Sequence, residues 1–176
     1  MKTWVFGLYY LGLTTLCFSQ NYRLASQLQP QKNLASQLKN DNYFQSVYEL
    51  EASNEVKNLE DSARNYDIKT SELFNNTYEN YEITFESLKG KIIAIYDVDG
   101  VMIKSIEKFD DVKLPEAITK TLHREYPDWI LNSTNYRVNY YLEHGVHKVY
   151  NVQVENNHKK VNLKIDCKGH ILHKSL

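Results

Sequence analysis

The chain contains two series of alternating apolar and polar residues, and a helical pattern precedes each series. Apolar residues at helical spacing predict a first helix over about 53–65, with Ser53 as its N-cap. A second helix is predicted from Leu114 to Tyr126, with Pro115 in its first turn. Period-two alternation predicts strands at 81–86, 91–96, 101–106, 136–142, 150–154, 161–165 and 171–172. We expect two helices and about eight strands in an α+β fold, with the helices packed on one face of an antiparallel sheet.

A shift of 69 residues superimposes the second series on the first. Identical residues then meet at Tyr81/Tyr150, Glu86/Glu155, Lys91/Lys160, Asp97/Asp166 and Gly100/Gly169. The overlay predicts an internal repeat, with tandem helix-plus-antiparallel-sheet units at 50–110 and 111–176. Beyond residue 19 the glycines are Gly90, Gly100, Gly145 and Gly169. Each lies between two strand patterns, so we expect all of them in hairpin turns, where glycine tolerates a positive φ.

The apolar alternates of the strands and the second helix predict the core. The expected core residues are Ile83, Phe85, Ile93, Ile95, Leu122, Val138, Tyr140, Val152, Leu163 and Ile165. Every residue from Ile92 to Tyr96 is apolar, so the sequence leaves open which alternates of this strand point inward. The opposite face carries Lys, Asn, Gln, Glu and Tyr and is expected to face water.

The first 19 residues are typical of a secretory signal peptide. Lys2 supplies the positive start, residues 4–18 form an uncharged apolar run, and cleavage is expected near Ser19. A membrane anchor is the alternative, but the run is shorter than the roughly 20 apolar residues that span a bilayer. Residues 20–49 are rich in Gln, Asn and Ser and predict a disordered polar linker. We therefore expect a periplasmic or secreted protein with no membrane span once the signal is removed.

Charge and cysteine content exclude two classes of protein. Basic residues number 21 and acidic residues 22, so no positive excess favours nucleic acid as a partner. Only Cys17 and Cys167 are present, which excludes a disulfide framework, and Cys167 is expected to be buried or inert. No cofactor and no metal are predicted, although a two-histidine site at His144 and His147 is left open.

The segment Asp97-Val98-Asp99-Gly100 follows an apolar strand and resembles the first motif of haloacid-dehalogenase-like phosphatases. That resemblance implies a small metal-dependent phosphohydrolase in which Asp97 is the nucleophile and Asp99 the general acid/base. Only 76 residues follow Gly100, which is too short for the parallel core of such enzymes. An Asp that opens a turn, with Gly three positions later, explains the same residues structurally. We therefore predict a hairpin turn and no enzyme activity.

The second unit carries a wider resemblance. Its helix begins Leu114-Pro115-Glu116-Ala117-Ile118 and ends Tyr126-Pro127-Asp128-Trp129, and its last strands contain Leu163-Lys164-Ile165-Asp166-Cys167-Lys168-Gly169-His170-Ile171-Leu172. Over about 54–176 this order resembles the PepSY-like proteins, also called beta-lactamase-inhibitor-like proteins, which Bacteroidetes export. The resemblance implies units with a helix packed on an antiparallel sheet, and it supplies no catalytic residue.

On these grounds we expect a non-enzymatic binding module that contacts a protein or peptide of the cell envelope. The contact surface would be the polar sheet face or the hairpin loops, because flat surfaces suit protein partners better than small molecules. Arg137, Asn139 and Tyr141 are the candidate binding residues, since alternation places them on one face and exposed Tyr favours protein contact. A structural or stress protein of the cell envelope is the alternative.

Overall fold

The computed structural model describes residues 39–176. The helices are α1 (Asp41–Val47), α2 (Asn54–Asn65) and α3 (Glu116–Glu125), with a 3-10 helix at Ile68–Thr70. The strands are β1 (Asn80–Glu86), β2 (Gly90–Asp97), β3 (Met102–Asp110), β4 (Ile130–Tyr141), β5 (Gly145–Asn156), β6 (Lys159–Ile165) and β7 (Ile171–Ser175). The signal peptide predicted at 1–19 and most of the predicted linker lie outside the described residues.

All seven strands form a single antiparallel sheet, ordered β1 to β7 as in the chain. The α+β class and the antiparallel pairing are therefore confirmed, with seven strands instead of about eight and three α-helices instead of two. The sheet continues across the boundary between the predicted units, because β3 pairs with β4 from Lys104↔Tyr141 to Asp110↔Asn135. Helix α2 begins after the predicted cap: the Ser53 side chain accepts a hydrogen bond from the Val56 N–H.

One face of the sheet, called here the inner face, is buried. Six of the predicted core residues lie on it: Ile83, Val138, Tyr140, Val152, Leu163 and Ile165. Phe85, on the same face, and Leu122, on α3, are partly buried against the core. The hydroxyl of Tyr96, on this face, donates to the Ala63 carbonyl of α2 at 2.6 Å.

The prediction is wrong for Ile93 and Ile95, which are only half-buried. Ile92, Ala94 and Tyr96 are the buried alternates of β2, each 0% exposed. A strand of apolar residues only has no alternation that shows its inward side. Directly paired residues of neighbouring strands lie on the same face, and buried Ile83 pairs with Ala94, so Ala94 also points inward. Ile93 and Ile95 therefore lie on the opposite face, called here the outer face.

Helix α1 lies within the segment predicted to be a disordered linker. That prediction is wrong for residues 41–47, because Tyr43 and Val47 are buried one helical turn apart. Asn40, just before the helix, accepts a hydrogen bond from the Met102 N–H through its side-chain oxygen at 2.7 Å. Two apolar residues and one amide therefore attach this polar segment to the sheet.

The Asp-to-Gly segments predicted as turns form the same structure twice. The Asp97 carboxylate oxygen Oδ1 accepts from the backbone N–H groups two and four residues later, at 2.9 Å each. Asp166 Oδ1 accepts from the equivalent groups at 2.9 and 2.8 Å. Gly100 and Gly169 have φ values of +80° and +85°. Both hairpin-turn predictions are confirmed.

Gly145 also has a positive φ, at +79°, as a turn requires. Gly90 differs, because it is the buried first residue of β2 and is not among the glycines with positive φ. A Cβ atom there would collide with Cδ1 of the Phe109 ring. The prediction that Gly90 supplies turn flexibility is therefore wrong: the small residue makes room for the Phe109 ring.

Candidate functional site

The three predicted binding residues lie together on the outer face of β4. Arg137 is exposed, Asn139 is half-buried and Tyr141 is 38% exposed. Arg137 Nε donates to the Asn135 side-chain oxygen at 3.0 Å, which holds its guanidinium against the sheet. The Lys104 ammonium lies 5.4 Å from the centre of the Tyr141 ring, within cation–π range. The geometry is that of a contiguous surface, and binding by these residues stays a prediction.

Apolar side chains adjoin Tyr141 on the outer face. Ile93 lies directly opposite Ile106, and Ile95 lies opposite Lys104, which in turn lies opposite Tyr141. Ile106 is 42% exposed. We call Ile93, Ile95, Ile106 and Tyr141 the apolar patch. Sequence reasoning assigned Ile93 and Ile95 to the core and did not single out Ile106, so Tyr141 is the only member that it predicted.

Three basic residues form a row across three adjacent strands next to the apolar patch. Lys91 pairs with Lys108, and Lys108 pairs with Arg137, and all three are exposed. Lys108 Nζ lies 3.2 Å from an Asp110 carboxylate oxygen, and Glu86 lies opposite Lys91 at the β1 end. We call Lys91, Lys108 and Arg137 the basic row. Like charges directly opposite each other destabilise a sheet, so the row lowers stability.

Amide side chains continue the outer face toward β6. Asn151 Nδ2 donates to Asn135 Oδ1 at 3.2 Å, and Gln153 Nε2 donates to Asn162 Oδ1 at 2.7 Å. They line a shallow depression of about 150 Å³. Pockets that enclose small molecules are usually roughly 300 Å³ or larger and mostly apolar. This part of the face is therefore better suited to surface contact than to enclosing a ligand.

Asp97 and Asp99 lie at the β2–β3 turn. Asp97 Oδ1 is engaged by two backbone N–H groups, and the Asp99 carboxylate, 77% exposed, lies 3.5 Å from Lys69 Nζ. The strands on either side are antiparallel. The phosphatase motif instead requires a parallel core, so the geometry gives the phosphohydrolase alternative no support.

His144 and His147 are both exposed near the β4–β5 turn. Within residues 39–176, no three His, Cys, Asp or Glu side chains are grouped closely enough to hold a metal ion. In the same part of the chain, no helix combines the length and the apolar character needed to cross a membrane.

Cys167 is partly buried against the core, after the end of β6. Burial, together with the nearby Glu49 carboxylate, raises the pKa of its thiol to about 12. Because the thiolate is the nucleophilic form, we expect iodoacetamide at about pH 8 to modify Cys167 at least about tenfold more slowly in the native protein than in urea. Mass spectrometry of the Cys167 peptide separates it from Cys17. Equal rates would contradict the expectation that Cys167 is inert.

Two carboxylates that sequence reasoning missed are buried beneath the helices. Glu60 of α2 and Glu107 of β3 are 0% and 1% exposed. Glu107 Oε1 accepts hydrogen bonds from the Tyr43 hydroxyl at 2.9 Å and the Ser105 hydroxyl at 2.7 Å. Within the described residues, neither Glu60 oxygen has a hydrogen-bond partner, and neither does Glu107 Oε2.

Burial is the main cause of a raised pKa at both carboxyls. It raises the pKa of Glu60 to about 9, with a further contribution from the Glu107 charge. It raises the pKa of Glu107 to about 7, against the lowering effect of its two hydroxyl donors and of Lys148. Lys148 Nζ itself lies 2.6 Å from the Glu49 carboxylate. Burial and the second carboxyl therefore both favour the protonated form of Glu60.

Comparison with known proteins finds similarity only among solved structures. No protein-family model matches the sequence, and no curated protein matches it. A DUF2874 family protein from Bacteroides ovatus is 14% identical over 55% of this chain and 69% of its own, with a TM-score of 0.36. A BLIP-like protein from Bacteroides fragilis is 18% identical over 57% and 70%, with a TM-score of 0.32. A protein from Bacteroides eggerthii, provisionally described as periplasmic, is 14% identical over 55% and 70%, with a TM-score of 0.36.

Proposed function

We propose that this protein is an exported, non-enzymatic interaction module of the PepSY-like type that contacts a protein or peptide through the outer face of its sheet. The observation that carries the proposal is the apolar patch, where Ile106 and Tyr141 are 42% and 38% exposed among polar neighbours. An exposed apolar group with a polar rim is the usual composition of a protein-contact surface. The shallowness of the face favours a macromolecular partner.

The proposal includes two tandem units and a periplasmic or secreted location after signal cleavage near Ser19. The matching turns at Gly100 and Gly169 support the tandem units, because the same side-chain-to-backbone hydrogen bonds occur in both. The apolar run over residues 4–18 supports export.

The test is capture of a partner from periplasmic extract by the wild type and by an outer-face variant. We expect the double variant Ile106→Thr/Tyr141→Ser to retain at least about fivefold less of any partner that the wild type enriches, since large central side chains dominate interface energies. Thr keeps strand propensity, and both positions are partly exposed, so the fold is expected to persist. Quantitative mass spectrometry of the captured proteins is the readout.

Leu50→Thr is the matched control, because Leu50 is 75% exposed in the loop between α1 and α2, and both helices contact the inner face of the sheet. This control is expected to capture the partner as the wild type does. Equal capture by the double variant and the wild type, with both shown to be folded by circular dichroism, would contradict the proposal that the partner contacts the apolar patch.

A further inference from the structure

We propose that the segment bound by the outer face is acidic, with apolar residues beside its carboxylates, and that its carboxylates lie on the basic row. This inference rests on the proposed function and adds the chemistry of the partner. Lys91, Lys108 and Arg137 stand directly opposite one another on three successive strands. Neighbouring strands are about 4.8 Å apart, so their backbone positions span only about 10 Å.

The row is only partly neutralised within the protein. Asp110 lies 3.2 Å from Lys108, and Glu86 faces Lys91 at one end. Arg137, at the other end, has its Nε on the neutral Asn135 side chain. The positive charge is therefore least balanced toward Arg137, where an incoming carboxylate would relieve the repulsion between Lys108 and Arg137.

The adjoining row of the sheet explains why the partner should also be apolar. Along the strands, Ile93 and Ile106 are two residues from Lys91 and Lys108 on the same face. An extended segment along the strands that presents a carboxylate to the basic row therefore presents the side chain two positions further along to the apolar patch. An acidic residue and an apolar residue two positions apart in an extended chain fit both rows, because residues i and i+2 of such a chain lie on the same side, roughly 6.6 Å apart.

A nucleic acid also carries negative charge, but the observations favour a peptide. The basic row is short, apolar side chains adjoin it, and the chain as a whole carries a net charge of −1. Nucleic-acid surfaces are typically extended and strongly basic. An oligonucleotide is accordingly one arm of the test.

The test measures fluorescence anisotropy of labelled peptides with the whole protein. The probes are a peptide that repeats Glu-Ser-Val-Ser, called here the Glu–Val peptide, its Gln–Val and Lys–Val counterparts with Gln or Lys in place of Glu, and an oligothymidylate of the same charge as the Glu peptide. We expect the Glu–Val peptide to bind at least about fivefold more tightly than the Gln–Val peptide at low salt, with affinity falling as salt is added. Weaker binding of the Lys–Val peptide is also expected.

Lys108→Glu and Arg137→Glu are each expected to weaken Glu–Val binding at least about fivefold, since each reverses a charge at the contact. Lys168→Glu, in the exposed β6–β7 turn, is the matched control and is expected to bind as the wild type does. Arg137→Gln gives a milder second variant if a reversal impairs folding. Equal binding of the Glu and Gln peptides, no binding of the Glu peptide, an equal loss in Lys168→Glu, or oligothymidylate binding as tight as the Glu peptide would each overturn the inference.

The capture experiment separates this inference from the proposed function. A captured partner that is lost in Ile106→Thr/Tyr141→Ser but retained by Lys108→Glu and Arg137→Glu would overturn the acidic segment and leave the outer-face contact standing. Loss in both sets of variants supports both proposals. Equal capture by every variant would remove the outer-face contact itself.

Discussion

The folded protein is expected to lose several kcal/mol of unfolding free energy between about pH 5 and about pH 9, and Glu60→Gln is expected to remove most of that loss. The cause is the buried pair of carboxyls between α2 and β3. Glu60 has no hydrogen-bond partner for either oxygen within the described residues, and Glu107 has donors for only one. An ionised carboxylate in such a place is costly unless it is paired.

The direction of this pH dependence follows from the raised pKa values. The ordinary carboxyl pKa is 4.5, whereas burial raises the pKa of Glu107 to about 7 and that of Glu60 to about 9. Above pH 4.5 the folded state therefore binds more protons than the unfolded state. The stabilising contribution is complete below the ordinary pKa and is lost as pH rises through the two folded-state values. Each pH unit between the unfolded and folded pKa of a carboxyl corresponds to about 1.4 kcal/mol of unfolding free energy.

The surrounding charges both raise and lower the pKa of Glu60. The Glu107 and Glu49 charges raise the pKa of Glu60, whereas Lys148 and Lys57 lower it. Lys148 lies within 2.6 Å of the Glu49 carboxylate, so its effect on the buried pair is shared with that partner. The positive groups thus reduce the pH dependence without abolishing it.

Urea unfolding at several pH values measures the effect. At about pH 9 we expect Glu60→Gln to be more stable than the wild type by about 2 kcal/mol or more, with a much smaller difference near pH 5. Glu107→Gln is expected to flatten the lower part of the same curve, because it removes the carboxyl with the lower folded-state pKa. Gln keeps an oxygen that accepts from the Tyr43 and Ser105 hydroxyls. Glu143→Gln, in the exposed β4–β5 turn, should leave the curve unchanged. Parallel curves for Glu60→Gln and the wild type would show that Glu60 does not carry the dependence.

The strands, the Ser53 cap and the Asp-to-Gly turns could be predicted because their signals are local. Alternation on β4 also sufficed to place Arg137, Asn139 and Tyr141 on one face. The basic row could not be foreseen, since Lys91 and Lys108 come together with Arg137 only through the register of three strands.

The inward position of Glu107 could not be predicted for a different reason. The pairing of β2 with β3 contains a register shift after Ile95, and the inward residues of β3 change phase between Met102 and Ser105. A bulge of this kind moves alternate residues to the other face. Simple alternation therefore cannot tell that Glu107 points inward and Ile106 outward.

Gly169→Ala is expected to destabilise the protein by about 3 kcal/mol or more. This loss is larger than the one expected for Gly100→Ala at the equivalent β2–β3 turn. Gly169 has a φ of +85°, which already disfavours a side chain. An added Cβ would also lie 2.6 Å from the Ala117 carbonyl oxygen and 3.0 Å from Thr121 Oγ1. The Thr121 hydroxyl donates to the Gly169 carbonyl at 2.9 Å, so α3 is attached to the turn at this point and cannot move away freely.

Gly145→Ala and Gly100→Ala are matched controls that separate backbone strain from crowding. Gly145 has a φ of +79° with nothing within 4 Å of an added Cβ, and Gly100 has a φ of +80° with Ile68 Cγ2 at 3.5 Å. Both substitutions are expected to lower the unfolding free energy by only about 1 kcal/mol, the contribution of the positive φ alone. Chemical denaturation of the three variants at one pH compares them directly. Equal losses for all three would mean that α3 does not crowd the β6–β7 turn, whereas a distinctly larger loss for Gly169→Ala requires that contact, because the backbone conformations are otherwise alike.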